Sequence, residues 1–166
     1  MTNSPNISDA ILAHSQEITS IISDEIKQNG PMPFEDYMQT CLYHPQYGYY
    51  RSRDLPMGKT GDFITAPEIS PLFSYCLAKQ TQELLEKIQI SNGNTKIETS
   101  ILELGAGSGR MASDILTYLK KHEALPQHYH ILEPCQQLRA PQEKKLKLDQ
   151  PALYASKFSK ISWLTE

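Results

Sequence analysis

The fold is decided by the segment Ile101-Leu102-Glu103-Leu104-Gly105-Ala106-Gly107-Ser108-Gly109. Its first four residues are mostly apolar and predict a buried strand. The three glycines that follow predict a tight turn into a helix beginning at Arg110, because glycine adopts backbone conformations that a Cβ disfavours. In open parallel sheets, ligands bind outside the carboxyl ends of the strands, where turns of this kind lie. We therefore predict that this glycine turn binds a ligand.

Strands and helices are predicted to alternate around this turn. The strand that enters the turn is predicted over Lys96 to Leu104, and the helix that leaves it over Arg110 to Lys121. The pattern then predicts a second strand, a second helix and a third strand, over Tyr129 to Glu133, Gln136 to Leu148 and Lys160 to Leu164. This order is typical of a parallel α/β sheet with right-handed crossovers.

The residues before the first strand predict helices. Apolar residues recur near the helical period over Ser8 to Asn29, and two further helices are predicted, one from Pro33 and one over Ser70 to Ile88. The last of these is expected to bury Leu72, Phe73, Leu77, Leu84, Leu85 and Ile88. We expect residues 1–95 to form a helical region that caps substrate and cofactor, and residues 96–166 to form the first part of the cofactor-binding domain.

Composition and charge argue against several classes of protein. The 166 residues include 16 Lys and Arg against 19 Asp and Glu, so no bulk attraction to nucleic acid is expected. No apolar run approaches the roughly 20 residues of a membrane span, and His128 and His130 lack two further zinc ligands. The three cysteines are far apart and odd in number, which favours a reducing compartment. We expect a soluble, cytoplasmic protein without a metal site.

Two acidic residues at the predicted strand ends are candidate ligands for a nucleoside. Glu103 places a carboxylate beside the glycine turn, where it could attract an ammonium group. The helix after the turn begins with unpaired N–H groups, which suit a carboxylate or another anion. Glu133, at the end of the next strand, could accept hydrogen bonds from two ribose hydroxyls, as the equivalent acid does in dinucleotide folds.

The glycine pattern alone leaves two kinds of cofactor open. Gly107 to Ala112 also satisfies the G-x-G-x-x-A pattern of nicotinamide and flavin sites. Against that assignment, an acid two residues before the first of three alternating glycines resembles the first motif of class I S-adenosylmethionine enzymes. About a hundred residues also precede this strand, whereas many dinucleotide domains begin with it.

The segments before the glycine turn are similar to a known family. They resemble the MidA family, the bacterial and mitochondrial relatives of the complex I assembly methyltransferase. The resemblance is carried by Met32 to Met38, Cys41 to Pro45, Gly48 to Tyr50, Gly61 to Ser70, Ile101 to Arg110, Ile131 to Glu133 and Leu138-Arg139, in this order along the chain.

The resemblance implies a fold and a cofactor. The fold is a Rossmann-like class I methyltransferase sheet, in the α/β class, preceded by a helical N-terminal region. The cofactor is S-adenosylmethionine, held by Glu103, Gly105, Gly107, Gly109 and Glu133.

The resemblance also implies a substrate and further site residues. Mitochondrial members of the family are protein arginine methyltransferases that act on a complex I subunit. The segment Gly61 to Glu68 is expected to wrap the cofactor crevice, with Thr65 binding cofactor and with Asp62 and Glu68 as candidate catalytic carboxylates. A loop held by its own hydrogen bonds is the alternative for these three residues.

The chain departs from the family at its end. Family members continue with further strands that close the sheet, whereas this chain stops at Glu166. We expect either an N-terminal fragment of uncertain activity or a chain completed by a C-terminal partner or an oligomer. A non-catalytic assembly factor and a nicotinamide-dependent oxidoreductase fragment are the alternative functions.

Overall fold

The computed structural model describes residues 9–51, 64–91, 97–154 and 160–165. It divides into two compact units, Met1–Leu55 and Pro56–Glu166. The functional division predicted at residue 95 stays a prediction.

The first unit is helical. Helix α1 spans Asp9–Asn29 and helix α2 spans Phe34–Tyr43, followed by a short 3₁₀ turn over Tyr49–Arg51. Gly30 ends α1 with a φ of +88°, and its N–H donates to the Ile26 carbonyl oxygen at 2.9 Å. A left-handed glycine is the usual way to terminate a helix.

The tyrosine-rich turn after α2 is held by its own contacts. The ring of His44 accepts hydrogen bonds from the backbone N–H groups of Gln46 and Tyr47, and it stacks on the Tyr47 ring. His14 on α1 donates from Nε2 to the Tyr47 carbonyl oxygen at 2.7 Å. A Cβ at Gly48 would lie 2.4 Å from the His44 backbone nitrogen, so the turn requires glycine there.

The second unit is a three-stranded parallel sheet with helices. Strands β1 (Ser100–Leu104), β2 (His128–Leu132) and β3 (Ile161–Leu164) lie in the order β1-β2-β3. The helices of this unit are α3 (Ala66–Ile69), α4 (Pro71–Ser91), α5 (Arg110–Lys121), α6 (Gln136–Asp149) and α7 (Pro151–Tyr154). The predicted α/β class is confirmed, and β1 begins later than predicted, at Ser100.

The core lies on one face of the sheet. Tyr129 on β2 pairs with Ile101 on β1 and with Ile161 on β3, and paired residues of parallel strands point to the same face. The buried apolar residues that surround this face come from α4, the glycine turn, α5, α6 and α7: Ala78, Ala106, Ala112, Ile115, Leu116, Leu119, Leu146 and Leu153.

The predicted buried side of α4 is mostly wrong. Leu85 is buried as expected, but Leu72 and Leu84 are 68% and 59% exposed, and Phe73, Leu77 and Ile88 are also exposed. The buried positions are instead Ser74 and Ala78, which have no exposed area. Small side chains let α4 lie close to α5, so this helix buries Ser74 and Ala78 together with Leu85 rather than most of its large apolar residues.

Replacing a core leucine tests this packing. Leu119 on α5 is fully buried, so Leu119→Ala should lower the free energy of unfolding by about 2–5 kcal/mol, through lost burial and a residual cavity. Urea unfolding can be followed by the fluorescence of Trp163, the one tryptophan in the chain. Leu148→Ala is the matched control, because Leu148 is 78% exposed and its loss should cost under about 0.5 kcal/mol. Equal losses in both variants would contradict the core described here.

Candidate functional site

The glycine turn joins β1 to α5 through three left-handed residues. The φ angles of Gly105, Gly107 and Gly109 are +70°, +54° and +80°. The Gly105 N–H donates to the carbonyl oxygen of Leu132, the last residue of β2, at 3.0 Å. This bond fixes the start of the turn against the carboxyl end of the neighbouring strand.

Gly109 also lies close to α6. A Cβ at Gly109 would lie 3.3 Å from Cα of Gln142 on α6, whereas a Cβ at Gly105 would meet nothing within 4 Å. The missing side chain at Gly109 therefore lets α6 approach the turn.

Glu103 and Glu133 project from the same face of the sheet. Glu103 on β1 is the partner of Ile131 on β2, and Glu133 lies two residues beyond Ile131. Side chains two residues apart on an extended strand point the same way. Both carboxylates are buried, with 6% and 4% of the residue exposed. The structure thus brings the two acids together at the carboxyl edge of the sheet, next to the glycine turn.

Glu103 is a buried carboxyl group with one oxygen that is not hydrogen-bonded within the described residues. Its Oε2 accepts a hydrogen bond from the Tyr129 hydroxyl at 2.8 Å, while Oε1 has no hydrogen-bond partner among the described residues. Burial raises the pKa of Glu103, and the Tyr129 hydrogen bond opposes that shift. Burial and the Glu103 charge raise the pKa of Tyr129, so the phenol stays protonated and donates. The free oxygen is suited to a cationic or hydrogen-bond-donating ligand.

Glu133 is held by two donors. Its Oε1 accepts from the Cys135 N–H at 3.1 Å, and its Oε2 accepts from Gln142 Nε2 at 3.0 Å. Each carboxylate oxygen has two acceptor positions, so both oxygens of Glu133 can still accept ribose hydroxyls.

The candidate residues before α4 are only partly described. Glu68 on α3 accepts a hydrogen bond from the hydroxyl of Ser108 in the glycine turn, so its carboxylate lies at the site. The side chain of Thr65 is exposed and makes no capping bond to α3, while its carbonyl oxygen accepts from the Glu68 N–H at 2.9 Å. Gly61 and Asp62 lie outside the described residues. The predicted roles of Asp62, Thr65 and Glu68 stay predictions.

Sequence reasoning missed three residues of this site: Tyr129, Gln142 and Ser108. Strand alternation could have found Tyr129, because it shares a face with Ile131 and Glu133. Gln142 also left a signal, since it interrupts an apolar helical stripe between Leu138 and Leu146. Nothing in the sequence pairs Ser108 with Glu68, which lies 40 residues earlier.

The described residues also bear on metal binding and on membrane insertion. No group of three or more His, Cys, Asp and Glu side chains there is placed to hold a metal ion. None of the helices in those parts of the chain combines the length and apolar character needed to cross a membrane.

The fold and the glycine turn define a class of protein. A parallel sheet whose first strand enters a glycine turn, with acids at the ends of β1 and β2, is the arrangement of Rossmann-like nucleotide-binding proteins. The model of the family described as "Putative S-adenosyl-L-methionine-dependent methyltransferase" matches residues 76–166. The chain therefore belongs to this S-adenosylmethionine-dependent methyltransferase family, and the predicted membership of the MidA-like class I methyltransferases is confirmed.

Solved structures have the same fold. A protein from Burkholderia thailandensis, crystallised with S-adenosyl-homocysteine, aligns with a TM-score of 0.77 and 31% identity, over 98% of this chain and 40% of that one. A native crystal structure of a Burkholderia thailandensis protein aligns with a TM-score of 0.70, over 98% of this chain and 38% of that one. The predicted Rossmann-like sheet with a preceding helical region is confirmed.

The curated relatives are mitochondrial proteins named protein arginine methyltransferase NDUFAF7 or its homologue. The Caenorhabditis elegans protein is 30% identical over 87% of this chain, and the human protein is 37% identical over 55%. The chain spans about a third or less of the length of these relatives, 32% and 20% respectively. The predicted cytoplasmic location is wrong, because these relatives are named as mitochondrial.

A pair of alanine substitutions separates backbone strain from crowding in the turn. Gly105→Ala should lower the free energy of unfolding by about 1–2 kcal/mol, the cost of a Cβ in the left-handed region. Gly109→Ala should cost more, because its Cβ also forces α6 away from the turn. Urea unfolding followed by Trp163 fluorescence measures both. A smaller loss for Gly109→Ala than for Gly105→Ala would refute the close approach of α6.

The raised pKa of Glu103 predicts a pH-dependent stability. Since folding raises this pKa, the folded state binds the proton more tightly than the unfolded state does. Protonation of Glu103 therefore stabilises the fold at low pH, and this contribution is lost as the pH rises through the raised pKa. Glu103→Gln removes the titration, so the variant should gain stability relative to wild type as the pH rises from about 4 to about 8. Unfolding free energies at several pH values measure this gain.

Glu98→Gln is the matched control, because Glu98 is exposed just before β1. It should show no such gain. A constant difference between Glu103→Gln and wild type across the pH range would contradict the buried carboxyl group.

Proposed function

We propose that this chain carries the cofactor-binding part of an S-adenosylmethionine-dependent protein arginine methyltransferase linked to the assembly of respiratory complex I. Family membership and the Burkholderia thailandensis structure with S-adenosyl-homocysteine support the cofactor. The names of the curated relatives support arginine as the methyl acceptor. The link to complex I rests on the family resemblance. The substrate of the methyltransferase would be a subunit of that complex.

The observation that carries the proposal is the buried carboxyl group of Glu103. Its Oε1 is buried without a hydrogen-bond partner among the described residues, and it belongs to the strand that enters a turn of three left-handed glycines. Natural proteins rarely leave a buried carboxylate oxygen unsatisfied, because doing so costs about 1–3 kcal/mol. We assign this oxygen to the ammonium end of the cofactor, bound directly or through water.

The other contacts follow from the same geometry. The glycine backbone and the first N–H groups of α5 suit the methionine carboxylate, because a helix N-terminus offers unpaired donors and a partial positive charge. Glu133 suits the ribose hydroxyls, because each of its two oxygens accepts one hydrogen bond among the described residues and has a second acceptor position. When bound, the cofactor supplies an electrophilic sulfonium methyl group, while the protein supplies alignment and electrostatics.

An arginine acceptor requires carboxylates near the reacting nitrogen. Guanidinium is protonated and delocalised, with a pKa above about 12, so it must be oriented for one nitrogen to attack the methyl group. We propose Glu68 and Asp62 for this role and Thr65 for cofactor contact. Among the described residues, the Glu68 carboxylate accepts one side-chain hydrogen bond, from Ser108, and we propose that its second oxygen binds the guanidinium. A protein substrate is therefore expected to present its arginine at the α3 side of the glycine turn.

Calorimetry with two nucleotides tests the cofactor. The chain should bind S-adenosylhomocysteine and should not bind NAD, although Gly107 to Ala112 fits the nicotinamide pattern as well. Gly107→Val should abolish S-adenosylhomocysteine binding, since a branched side chain would stand where the ligand approaches the backbone.

Gly30→Val is the control for that variant. Gly30 also has a left-handed φ, of +88°, but ends α1 in the first unit. It should retain wild-type affinity. Preference for NAD, or wild-type affinity in Gly107→Val, would overturn the cofactor assignment. Binding of S-adenosylmethionine without methyl transfer to purified complex I subunits, in a reconstituted full-length form, would favour a non-catalytic assembly factor.

A further inference from the structure

Gln142 is a polar residue at the centre of an apolar helix face. It lies four residues after Leu138 and four before Leu146 on α6, and all three side chains are buried. No part of Gln142 is exposed to solvent. A buried amide is costly unless its donors and acceptor are satisfied, so its partners explain its presence.

The side chain of Gln142 connects three parts of the site. Its Nε2 donates to the Gly107 carbonyl oxygen and to Glu133 Oε2, each at 3.0 Å. Its Oε1 accepts from the indole Nε1 of Trp163 on β3 at 2.8 Å. Only this orientation of the amide fits all three partners, because two of them are acceptors and the indole is a donor.

The backbone fit brings Gln142 to this position. Gly109 has no side chain, so the backbone of Gln142 can lie close to the turn. A Cβ at Gly109 would be only 3.3 Å from Cα of Gln142, which is a crowded contact. The amide can therefore reach the Gly107 carbonyl oxygen and the Glu133 carboxylate at the same time.

We propose that Gln142 is a positioning residue that fixes the Glu133 carboxylate relative to the glycine turn before the cofactor binds. This inference rests on the proposed function, because it assigns Glu133 to the ribose. A glutamate side chain has three rotatable bonds. Restraining them before the cofactor binds reduces the conformational entropy that is lost on binding. The neutral amide holds the carboxylate without neutralising its charge. A lysine at this position would neutralise that charge, and it could not accept the hydrogen bond from Trp163.

A substitution that keeps size and removes hydrogen bonds tests the proposal. Gln142→Met should weaken S-adenosylhomocysteine binding about tenfold in calorimetry, the effect of losing one well-placed hydrogen bond. Gln142→Glu should weaken it further, because it keeps the acceptor for Trp163 but sets a second carboxylate against Glu133.

Gln150→Met is the matched control. Gln150 is also a buried glutamine, and its Nε2 donates to the Ser113 carbonyl oxygen and to Thr117 Oγ1, which belong to α5. The Gln150→Met variant should lose free energy of unfolding as Gln142→Met does. Its affinity for S-adenosylhomocysteine should stay at the wild-type value.

A double-mutant cycle distinguishes positioning from a general structural effect. If Gln142 acts through Glu133, Gln142→Met should cost less than about twofold in affinity when added to Glu133→Ala. A full tenfold loss in that background, or wild-type affinity in both Gln142 variants, would overturn the inference. Should the methionine variant fail to fold, the glutamate variant carries the same cycle.

Failure of the proposed function has a different signature. A wild-type chain that does not bind S-adenosylhomocysteine at all would overturn the proposed function together with this inference. A wild-type chain that binds, with Gln142 variants indistinguishable from Gln150→Met, would overturn the inference alone.

Discussion

The candidate site depends on the parallel register between β1 and β2. Glu103 is opposite Ile131, and this pairing sends Glu103 and Glu133 to the same face. Because side chains alternate along a strand, a slip of one residue would place the two carboxylates on opposite faces. The hydrogen bond from Gly105 to the Leu132 carbonyl oxygen extends the same register into the turn. Strand pairing thus determines which polar groups can act on one ligand.

Local sequence signals were sufficient to predict most of the helices and strands of the second unit. The helix predicted over Arg110 to Lys121 has those bounds in the structure, because glycines precede it and its apolar residues recur on one face. The second and third strands lie within about one residue of their predicted bounds. Each of these elements is specified by residues close together in the chain, where periodicity and turn residues are informative.

Contacts between distant residues were not predictable in the same way. The face of α4 that is buried depends on Ser74 and Ala78, which carry little hydrophobic signal, while most of its large apolar residues are exposed. The hydrogen bonds of Glu103 to Tyr129 and of Gln142 to Trp163 join residues 26 and 21 positions apart. Such pairs follow from strand register and helix docking, which a single sequence does not specify. The sequence therefore predicted Glu103 and Glu133 as acids of the candidate site, but not the residues that donate hydrogen bonds to them.

The close approach of α6 to the glycine turn limits how this sequence can diverge. The nearest atom to a Cβ at Gly109 belongs to the main chain of Gln142, not to its side chain. A smaller residue at 142 could therefore not compensate for a larger one at 109, because every residue, glycine included, has a Cα. Homologous chains that keep this helix in place are thus expected to retain glycine at 109 even where 142 has changed, and the two positions should show little covariation.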